Sequence, residues 1–170
     1  MGTRCGDLDP GVPGFVARAL GLTLAQIEAA LYSDSGLKGL SGESSDLRIV
    51  EKRAGEGVGA AQLAMQVHAY RVRKYIGAYA AAMGGCDAVA FTGGAGENSA
   101  ALRRRIVDGL EFIGLELDEE RNRAYSPNTE VAQLQSSRSA VAVLVVQARE
   151  QLAIARETFR ALNDQASGLV

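Results

Sequence analysis

The stretch of sequence that decides the fold reads CDAVAFTGGAGEN and spans residues 86–98. Its first half is a short apolar run beside glycines, which predicts a buried β-strand over residues 86–92. Its second half has three glycines in four positions, which predicts a tight loop over residues 93–98. A helix is expected to follow, from Ser99 to Leu110. Since a strand, a glycine-rich turn and a helix form the unit of an α/β domain, the sequence predicts the α/β class.

Helical and strand-like patterns continue on both sides of this stretch. Apolar side chains recur at threes and fours over residues 60–83, which predicts a long helix. Thr23 and Gln26 have the spacing of a capping box and predict the start of a shorter helix. Residues 140–146 predict a second strand, and a final helix is expected over residues 149–162.

Four other segments have simple structural interpretations. Residues 37–42 are rich in glycine and predict a loop. The aromatic side chains within residues 74–79 are expected to pack in the core. The three consecutive arginines at residues 103–105 predict a solvated helix face. His68 is expected to be structural, because no cysteine or carboxylate lies near it in the helix.

The composition is that of a globular chain, and the length suits one domain over residues 1–170. The chain has 47% hydrophobic and 22% charged residues, with 18 Lys and Arg against 20 Asp and Glu. This balance predicts no nucleic-acid partner. The sequence has no recognisable signal peptide and no apolar run of transmembrane length, so we expect a cytoplasmic protein without a membrane partner. Cys5 and Cys86 are expected to be free thiols.

Residues at four places could carry chemistry, and from the residues alone the functional and the structural interpretation of each place both stay open. The glycines of residues 93–98 could admit a phosphate or nucleoside, or could serve only a turn. Arg4 could contact phosphoryl oxygens, although pairing with a neighbouring aspartate is favoured. Asp46 could bind a ligand or cap a helix. Glu150 follows the second predicted strand and could hold Mg²⁺, or could favour a helix dipole.

Several blocks of the sequence, in the same order, resemble those of the acetate kinase family. They are residues 1–10 (MGTRCGDLDP), 35–48, 70–79, 91–98, 109–114 and 150–156. The resemblance implies a ribonuclease H-like core of the actin, hexokinase and Hsp70 (ASKHA) superfamily. It also implies that the chain is the carboxyl-terminal half, the second core of a duplicated kinase.

The same resemblance implies an activity and a set of site residues. The activity is phosphoryl transfer from ATP to acetate, giving ADP and acetyl phosphate, with Mg²⁺ as cofactor. Arg4 is then the catalytic arginine, which stabilises charge on the transferring phosphoryl group. Glu150 is the magnesium ligand. The residues implied for the adenosine part of ATP are Asp46, Leu47, Arg48, Gly94, Ala95, Gly96, Glu97 and Asn98.

The resemblance also implies partners. The family's first core carries further acetate- and phosphate-binding groups, so we expect the chain to be inactive alone and to need an amino-terminal half. A polar loop at residue 1 likewise favours a missing preceding segment. The complete enzyme is expected to be a homodimer that uses acetate or another short-chain acyl group.

Two departures from the family lie beside the implied magnesium ligand. Residues 147–149 read Gln-Ala-Arg where the family usually has Pro-Thr-Asn, and Gln151 replaces a second glutamate. Arg149 could neutralise the Glu150 carboxylate. Two alternatives therefore stay open: a non-catalytic nucleotide-binding or interaction module, and the remnant of a truncated gene.

Overall fold

A computed structural model describes residues 1–167 and has the predicted α/β class. The helices are α1 Gly11–Leu20, α2 Leu24–Ser33, α3 Gly36–Ser41, α4 Leu47–Gly55, α5 Gly59–Met83, α6 Gly93–Asn98, α7 Ala100–Val107, α8 Glu119–Ala124 and α9 Glu150–Ser167. The strands are β1 Ala88–Phe91, β2 Val131–Gln133 and β3 Ala142–Val146, and a 3₁₀ turn spans Glu111–Ile113.

The sheet is small and mixed, with β3 in the middle, parallel to β1 and antiparallel to β2. Phe91 pairs in register with Val145, so β1 and β3 end at the same edge of the sheet. Phe91 is buried, whereas Ala88 and Ala90 are exposed. The prediction that this strand is wholly buried is therefore wrong, because β1 is an edge strand of the described sheet.

The core forms where α5 packs against α3, α4 and α7. The buried face of α5 is made mostly of small side chains, namely Ala61, Ala64, Met65, Ala69 and Ala80. Small side chains let neighbouring helices approach closely. The predicted long helix is confirmed, but its aromatic residues do not lie in the core: Tyr70, Tyr75 and Tyr79 are exposed. Helical spacing fits several faces at once, and here the alanine face is the buried one.

Two segments predicted as loops are short helices. Residues 37–42 fall largely within α3, and residues 93–98 form α6. Each helix begins with a glycine of positive φ, Gly36 at 63° and Gly93 at 70°, which turns the chain and lets a helix follow at once. The helix expected from Ser99 ends early, at Val107, and a 3₁₀ turn follows.

The capping box of α2 is confirmed. The Thr23 side chain accepts a hydrogen bond from the Gln26 amide, and the Gln26 side chain accepts one from the Thr23 amide. Gly84 ends α5 in the left-handed conformation. Strand β2 and helix α8 have no counterpart in the sequence prediction, since both are short and weakly patterned.

Within residues 1–167, no single helix is both long and apolar enough to cross a membrane. Helices α1 and α2 together satisfy the length and composition criteria, but they are bent by 116° with respect to each other.

Candidate functional site

The loop that carries Arg4 is held by backbone hydrogen bonds against the start of α3. The Thr3 carbonyl accepts from the Ser35 amide at 2.8 Å, and the Met1 carbonyl accepts from the Leu37 amide at 3.2 Å. Gly36 lies beneath this loop. A Cβ atom on Gly36 would lie 2.6 Å from the Met1 carbonyl oxygen. The approach of the loop therefore requires glycine at this position.

Asp7, in the same loop, pairs with α5 and not with Arg4. Its Oδ2 accepts hydrogen bonds from the Tyr75 hydroxyl at 2.5 Å and from the Arg71 guanidinium at 2.6 Å. The Tyr75 hydrogen bond, followed by the charge of Arg71, lowers the pKa of Asp7, and the same hydrogen bond raises the pKa of Tyr75. Across the described part of the chain, the exposed Arg4 side chain has no ion pair or hydrogen bond. Its guanidinium is therefore not used to order the loop.

A cavity of about 660 Å³ opens beside Arg4. Its wall includes Leu37, Leu40, Val67 and the side chain of His68. Burial, and then the positive amino terminus, lower the pKa of His68. The largely apolar wall disfavours a charged imidazole, and the structural role expected for this histidine stays a prediction.

Asp46 and Arg48 form a compact pair at the start of α4. The Asp46 carboxylate accepts from the Arg48 amide at 2.9 Å and from the Arg48 guanidinium at 2.6 Å. These hydrogen bonds lower the pKa of Asp46 to about 2. The Arg48 side chain is 89% exposed, and Leu47 packs partly against the core. Asp46 is thus the helix cap that the sequence allowed, and it leaves the outer side of Arg48 free for a ligand.

The Arg4 loop and the Asp46 segment are neighbours. A Cβ atom on Gly2 would lie 3.0 Å from the Ser45 carbonyl oxygen, so the two backbones touch there. The structure thus brings together two of the segments that the sequence singled out.

The other two segments meet at the carboxyl edge of β1 and β3. Helix α6 follows β1, and Glu150 begins α9 soon after β3. The Glu97 Oε1 atom accepts hydrogen bonds from the amides of Gly93 and Ala148, each at 2.9 Å. Within residues 1–167, no hydrogen bond or ion pair joins this second pair of segments to the Arg4 and Asp46 segments.

The glycines of α6 differ in their surroundings. A Cβ atom on Gly96 would lie 3.1 Å from the Phe91 carbonyl carbon, so packing explains this residue. A Cβ atom on Gly94 would meet nothing within 4 Å, and the φ angle of Gly94 is not positive. Ala95 and Asn98 are exposed, and the Asn98 amide group donates to the Gly94 carbonyl at 2.9 Å. Space above Gly94 is therefore open to a ligand.

Arg103 is the residue that the sequence analysis missed. It is 1% exposed, so the prediction of a solvated arginine run is wrong at this position. Its guanidinium donates to the carbonyls of Gly96 at 2.8 Å and Glu97 at 2.9 Å, and to the Asn122 Oδ1 atom at 2.8 Å. It also lies 5.2 Å from the ring centroid of Tyr125. Arg103 thus holds the end of α6 from beneath.

Burial lowers the pKa of Arg103, and within residues 1–167 no carboxylate forms an ion pair with it. The signal that could have found it is helical spacing. Arg103 precedes Ile106 by three positions and Val107 by four, and both are buried. Arg103 therefore lies on the inward face of α7. The three consecutive arginines suggested a solvated face and hid this spacing.

Glu150 is exposed at the start of α9. No group of three or more His, Cys, Asp or Glu side chains is placed to hold a metal within residues 1–167. Mg²⁺ at nucleotide sites commonly takes one or two carboxylates and completes its shell with phosphates and water. A single exposed carboxylate at the strand edge fits that donor set.

Among the described residues, Arg149 forms no ion pair with Glu150. Its guanidinium lies 3.5 Å from the carboxylate of Glu130 instead. Arg149 has φ 46°, a left-handed conformation that is unfavourable for a side chain of this size. Such strain persists where surrounding contacts hold it, and it often marks functional segments.

The comparisons with known proteins point in one direction. Residues 1–156 match the model of the acetokinase family. The acetate kinase of Fusobacterium nucleatum is 48% identical over 160 residues, which are 94% of this chain and 40% of that protein. The acetate kinase of Heliobacterium modesticaldum is 45% identical over 162 residues, which are 95% of this chain and 40% of that protein.

Solved structures agree. The crystal structure of Porphyromonas gingivalis acetate kinase is 42% identical with a TM-score of 0.84, covering 95% of this chain and 40% of that one. A propionate kinase from Francisella tularensis is 34% identical with a TM-score of 0.81, covering 92% and 39%. The chain thus spans about two fifths of the length of the curated relatives it matches.

Proposed function

The chain belongs to the acetokinase family, and from this premise we propose that it is the nucleotide-binding portion of an acetate kinase-type phosphotransferase. The proposed reaction transfers the γ-phosphoryl group of ATP to the carboxylate of acetate or another short-chain acid, giving ADP and an acyl phosphate. The observation that carries the proposal is the open surface above Gly94, in a segment that packing alone does not explain. The fold supports it, because the structural neighbours include acetate kinases and share the predicted ASKHA-type class.

The nucleotide is proposed to bind along α6 and the start of α4. The residues concerned are Asp46, Leu47, Arg48, Gly94, Ala95, Gly96, Glu97 and Asn98. Arg48 supports this assignment because its guanidinium is exposed while its charge is balanced by Asp46. Gly94 supports it because the absence of a side chain lets a ligand reach the backbone.

Arg4 is proposed to act on the transferring phosphoryl group. Phosphoryl transfer passes through a state with charge spread over the equatorial oxygens, which a positioned guanidinium stabilises. Arg4 supports this role because its side chain is exposed and unpaired within the described residues, while backbone hydrogen bonds and Gly36 fix its loop. A guanidinium that already held a carboxylate would be less available to a phosphate.

Glu150 is proposed to hold Mg²⁺ together with the phosphates of ATP. The metal neutralises phosphate charge when it is bound. The protein's part is to present one carboxylate at the strand edge beside α6, where an ATP phosphate would complete the metal's coordination.

We also propose that residues 1–170 are the carboxyl-terminal domain of a two-part enzyme. The support is the length of the relatives, of which this chain covers about 40%. The remaining portion would supply the acceptor site and further phosphate-binding groups, and the complete enzyme would be a homodimer. The chain alone is then expected to bind ATP weakly and to form no acyl phosphate.

Titration calorimetry on the purified chain tests the nucleotide site. We expect Mg·ATP to bind, and Gly94→Val to weaken binding by at least about tenfold, which is about 1.4 kcal/mol. The fold should tolerate this change because a Cβ atom on Gly94 would meet nothing within 4 Å and its φ angle is not positive. Gly55→Val is the matched control, since Gly55 is equally open, has an ordinary φ angle and lies outside the site.

Three results would count against the proposal or a part of it. Unchanged ATP affinity in a folded Gly94→Val variant would return this glycine to a purely local role in the turn. Formation of acetyl phosphate by the 170-residue chain alone, measured as the hydroxamate, would instead contradict the claim that a second portion is needed. A chain that binds ATP but stays inactive even with that portion supplied would favour the non-catalytic binding module.

A further inference from the structure

We propose that Glu97 is a positioning residue that couples the nucleotide segment to the magnesium segment, and that its carboxylate does not itself contact the nucleotide. This inference rests on the proposed function. It narrows the role of Glu97 within the set of nucleotide residues, because the structure gives the carboxylate other partners.

The Glu97 side chain reaches across the edge of the sheet. Its Oε1 atom accepts from the Gly93 amide at the start of its own helix, and from the Ala148 amide 51 residues further along the chain. Both distances are 2.9 Å. Within residues 1–167 no other hydrogen bond joins residues 93–98 to residues 147–150. One oxygen atom therefore provides the hydrogen-bonded link between the two segments.

The Glu97 carboxylate is presented from a fixed point. The buried guanidinium of Arg103 holds the carbonyls of Gly96 and Glu97 at 2.8 and 2.9 Å. The backbone of Glu97 is therefore anchored to α7, and hydrogen bonds to a charged donor are stronger than neutral ones. A displacement of Ala148 would have to move the Glu97 side chain against this anchor.

The linked segment is the one that needs support. Ala148 directly precedes Arg149, whose φ of 46° is unfavourable, and Glu150 follows. An unfavourable backbone conformation persists only when neighbouring contacts determine it. The hydrogen bond from Ala148 to Glu97 is such a contact. Gln147 and Arg149 hold the same segment against residues 127–130, and the Ala148 bond is the one that ties it to α6. Glu97 thereby sets the position of the Glu150 carboxylate relative to α6.

The two substitutions Glu97→Gln and Glu97→Ala separate position from charge. Glutamine keeps an Oε1 atom that can accept from both amides, but it has no charge. Alanine removes the acceptor altogether. A positioning residue should tolerate glutamine, whereas a carboxylate that contacted Mg²⁺ or a nucleotide through its charge would lose function in both variants.

Amide hydrogen exchange by NMR on the 170-residue chain measures the link without any ligand. In Glu97→Ala, exchange at the Gly93 and Ala148 amides should accelerate by about tenfold or more, while in Glu97→Gln it should stay within about threefold of the wild type. Glu111→Ala is the matched control, because the Glu111 carboxylate also accepts from a backbone amide, that of Gly109, outside the site. It should leave both amides unchanged. Unaltered protection of Ala148 in Glu97→Ala would overturn the proposal.

Calorimetry with ATP, in the presence and absence of Mg²⁺, adds the functional readout. We expect Mg²⁺ to strengthen ATP binding in the wild type and in Glu97→Gln. In Glu97→Ala, the gain in ATP affinity that Mg²⁺ causes should be about tenfold smaller. An equal loss in both variants would show that the charge of Glu97 matters, and would overturn the positioning role. A wild-type chain that binds no ATP would overturn the proposed function itself. Wild-type binding that Glu97→Ala leaves unchanged would overturn only the role of Glu97.

Discussion

At the scale of single residues, the glycines show which positions the backbone constrains and which it leaves to a ligand. Gly36 and Gly96 lie against other backbone atoms, so their lack of a side chain is a packing requirement. Gly94 has neither a close neighbour nor a positive φ angle. The sequence alone cannot tell a glycine that packing requires from a glycine that leaves space for a ligand. The difference depends on which other atoms of the folded chain lie over each Cα atom.

Gly36→Ala should destabilise the chain through the Arg4 loop. The new Cβ atom would lie 2.6 Å from the Met1 carbonyl oxygen and 2.9 Å from that of Arg4, in a residue with φ 63°. Gly42→Ala is the control, because Gly42 has φ 69° and open surroundings. We expect Gly36→Ala to lower the free energy of unfolding by about 2 kcal/mol more than Gly42→Ala, measured by urea denaturation. Equal losses would show that the left-handed conformation, and not the close approach, is what glycine serves.

At the scale of elements, the sequence predicted those whose signals are local. The capping box of α2 depends on two residues three positions apart, and α5 depends on periodicity over many turns; both are confirmed. Helices α3 and α6 were expected to be loops because glycine disfavours helix, and the surrounding packing overrides that weak preference.

Contacts between distant segments were the part that the sequence could not supply. The sequence points to the blocks that contain Arg4 and Asp46 as candidate sites. It does not predict that the backbones of these blocks touch at Gly2 and Ser45. The sequence favours pairing of Arg4 with a neighbouring aspartate, whereas the Asp7 carboxylate pairs with Tyr75, 68 residues away. Local patterns rank candidate residues, whereas the fold decides which of them share a site.

Arg103→Met tests whether the buried guanidinium supports α6. The substitution would leave the Gly96 and Glu97 carbonyls and the Asn122 side chain without their donor. We expect a loss of about 2–3 kcal/mol in the free energy of unfolding, measured by chemical denaturation, because buried acceptors would be unsatisfied. Arg104→Met is the control: Arg104 is exposed and pairs with Glu119, so the change should stay within about 0.5 kcal/mol. A variant as stable as the wild type would show that apolar packing can replace this charge, as happens at some buried ionic sites.

At the scale of the whole molecule, many large apolar side chains of the described residues are exposed. Phe112 is 78% exposed, Met83 69% and Phe159 67%. Strand β1 also lies at an edge of the described sheet, with apolar residues and little charge to protect it. The open apolar edge of β1, together with these exposed side chains, supports the proposal of a second portion that packs against this one, since an unprotected strand edge readily pairs with another chain.

The remaining part of a relative can supply that second portion. The Fusobacterium nucleatum acetate kinase is 48% identical to this chain where the two overlap, and the overlap is 40% of its length. Co-expression of its unmatched portion with the 170-residue chain should yield acyl kinase activity that neither piece shows alone. In-line phosphoryl transfer needs the acceptor, the nucleotide and the groups that balance the phosphate charge to be held together. We propose that both portions are needed to do so.

In that complex, activity should depend on Arg4. Loss of an arginine that contacts the transferring group typically lowers the rate by about 10³- to 10⁵-fold, so Arg4→Ala should be nearly inactive. Arg4→Lys should recover only part of the rate, because lysine keeps the charge but not the planar pair of donors. Arg18→Ala changes an exposed arginine on α1 and should leave the rate unaltered. Since no side-chain hydrogen bond or ion pair of Arg4 is lost within the described residues, the substitution should hardly change stability. Misfolding would therefore not account for a loss of activity in Arg4→Ala. A complemented enzyme that stays fully active with alanine at this position would exclude Arg4 from the chemistry.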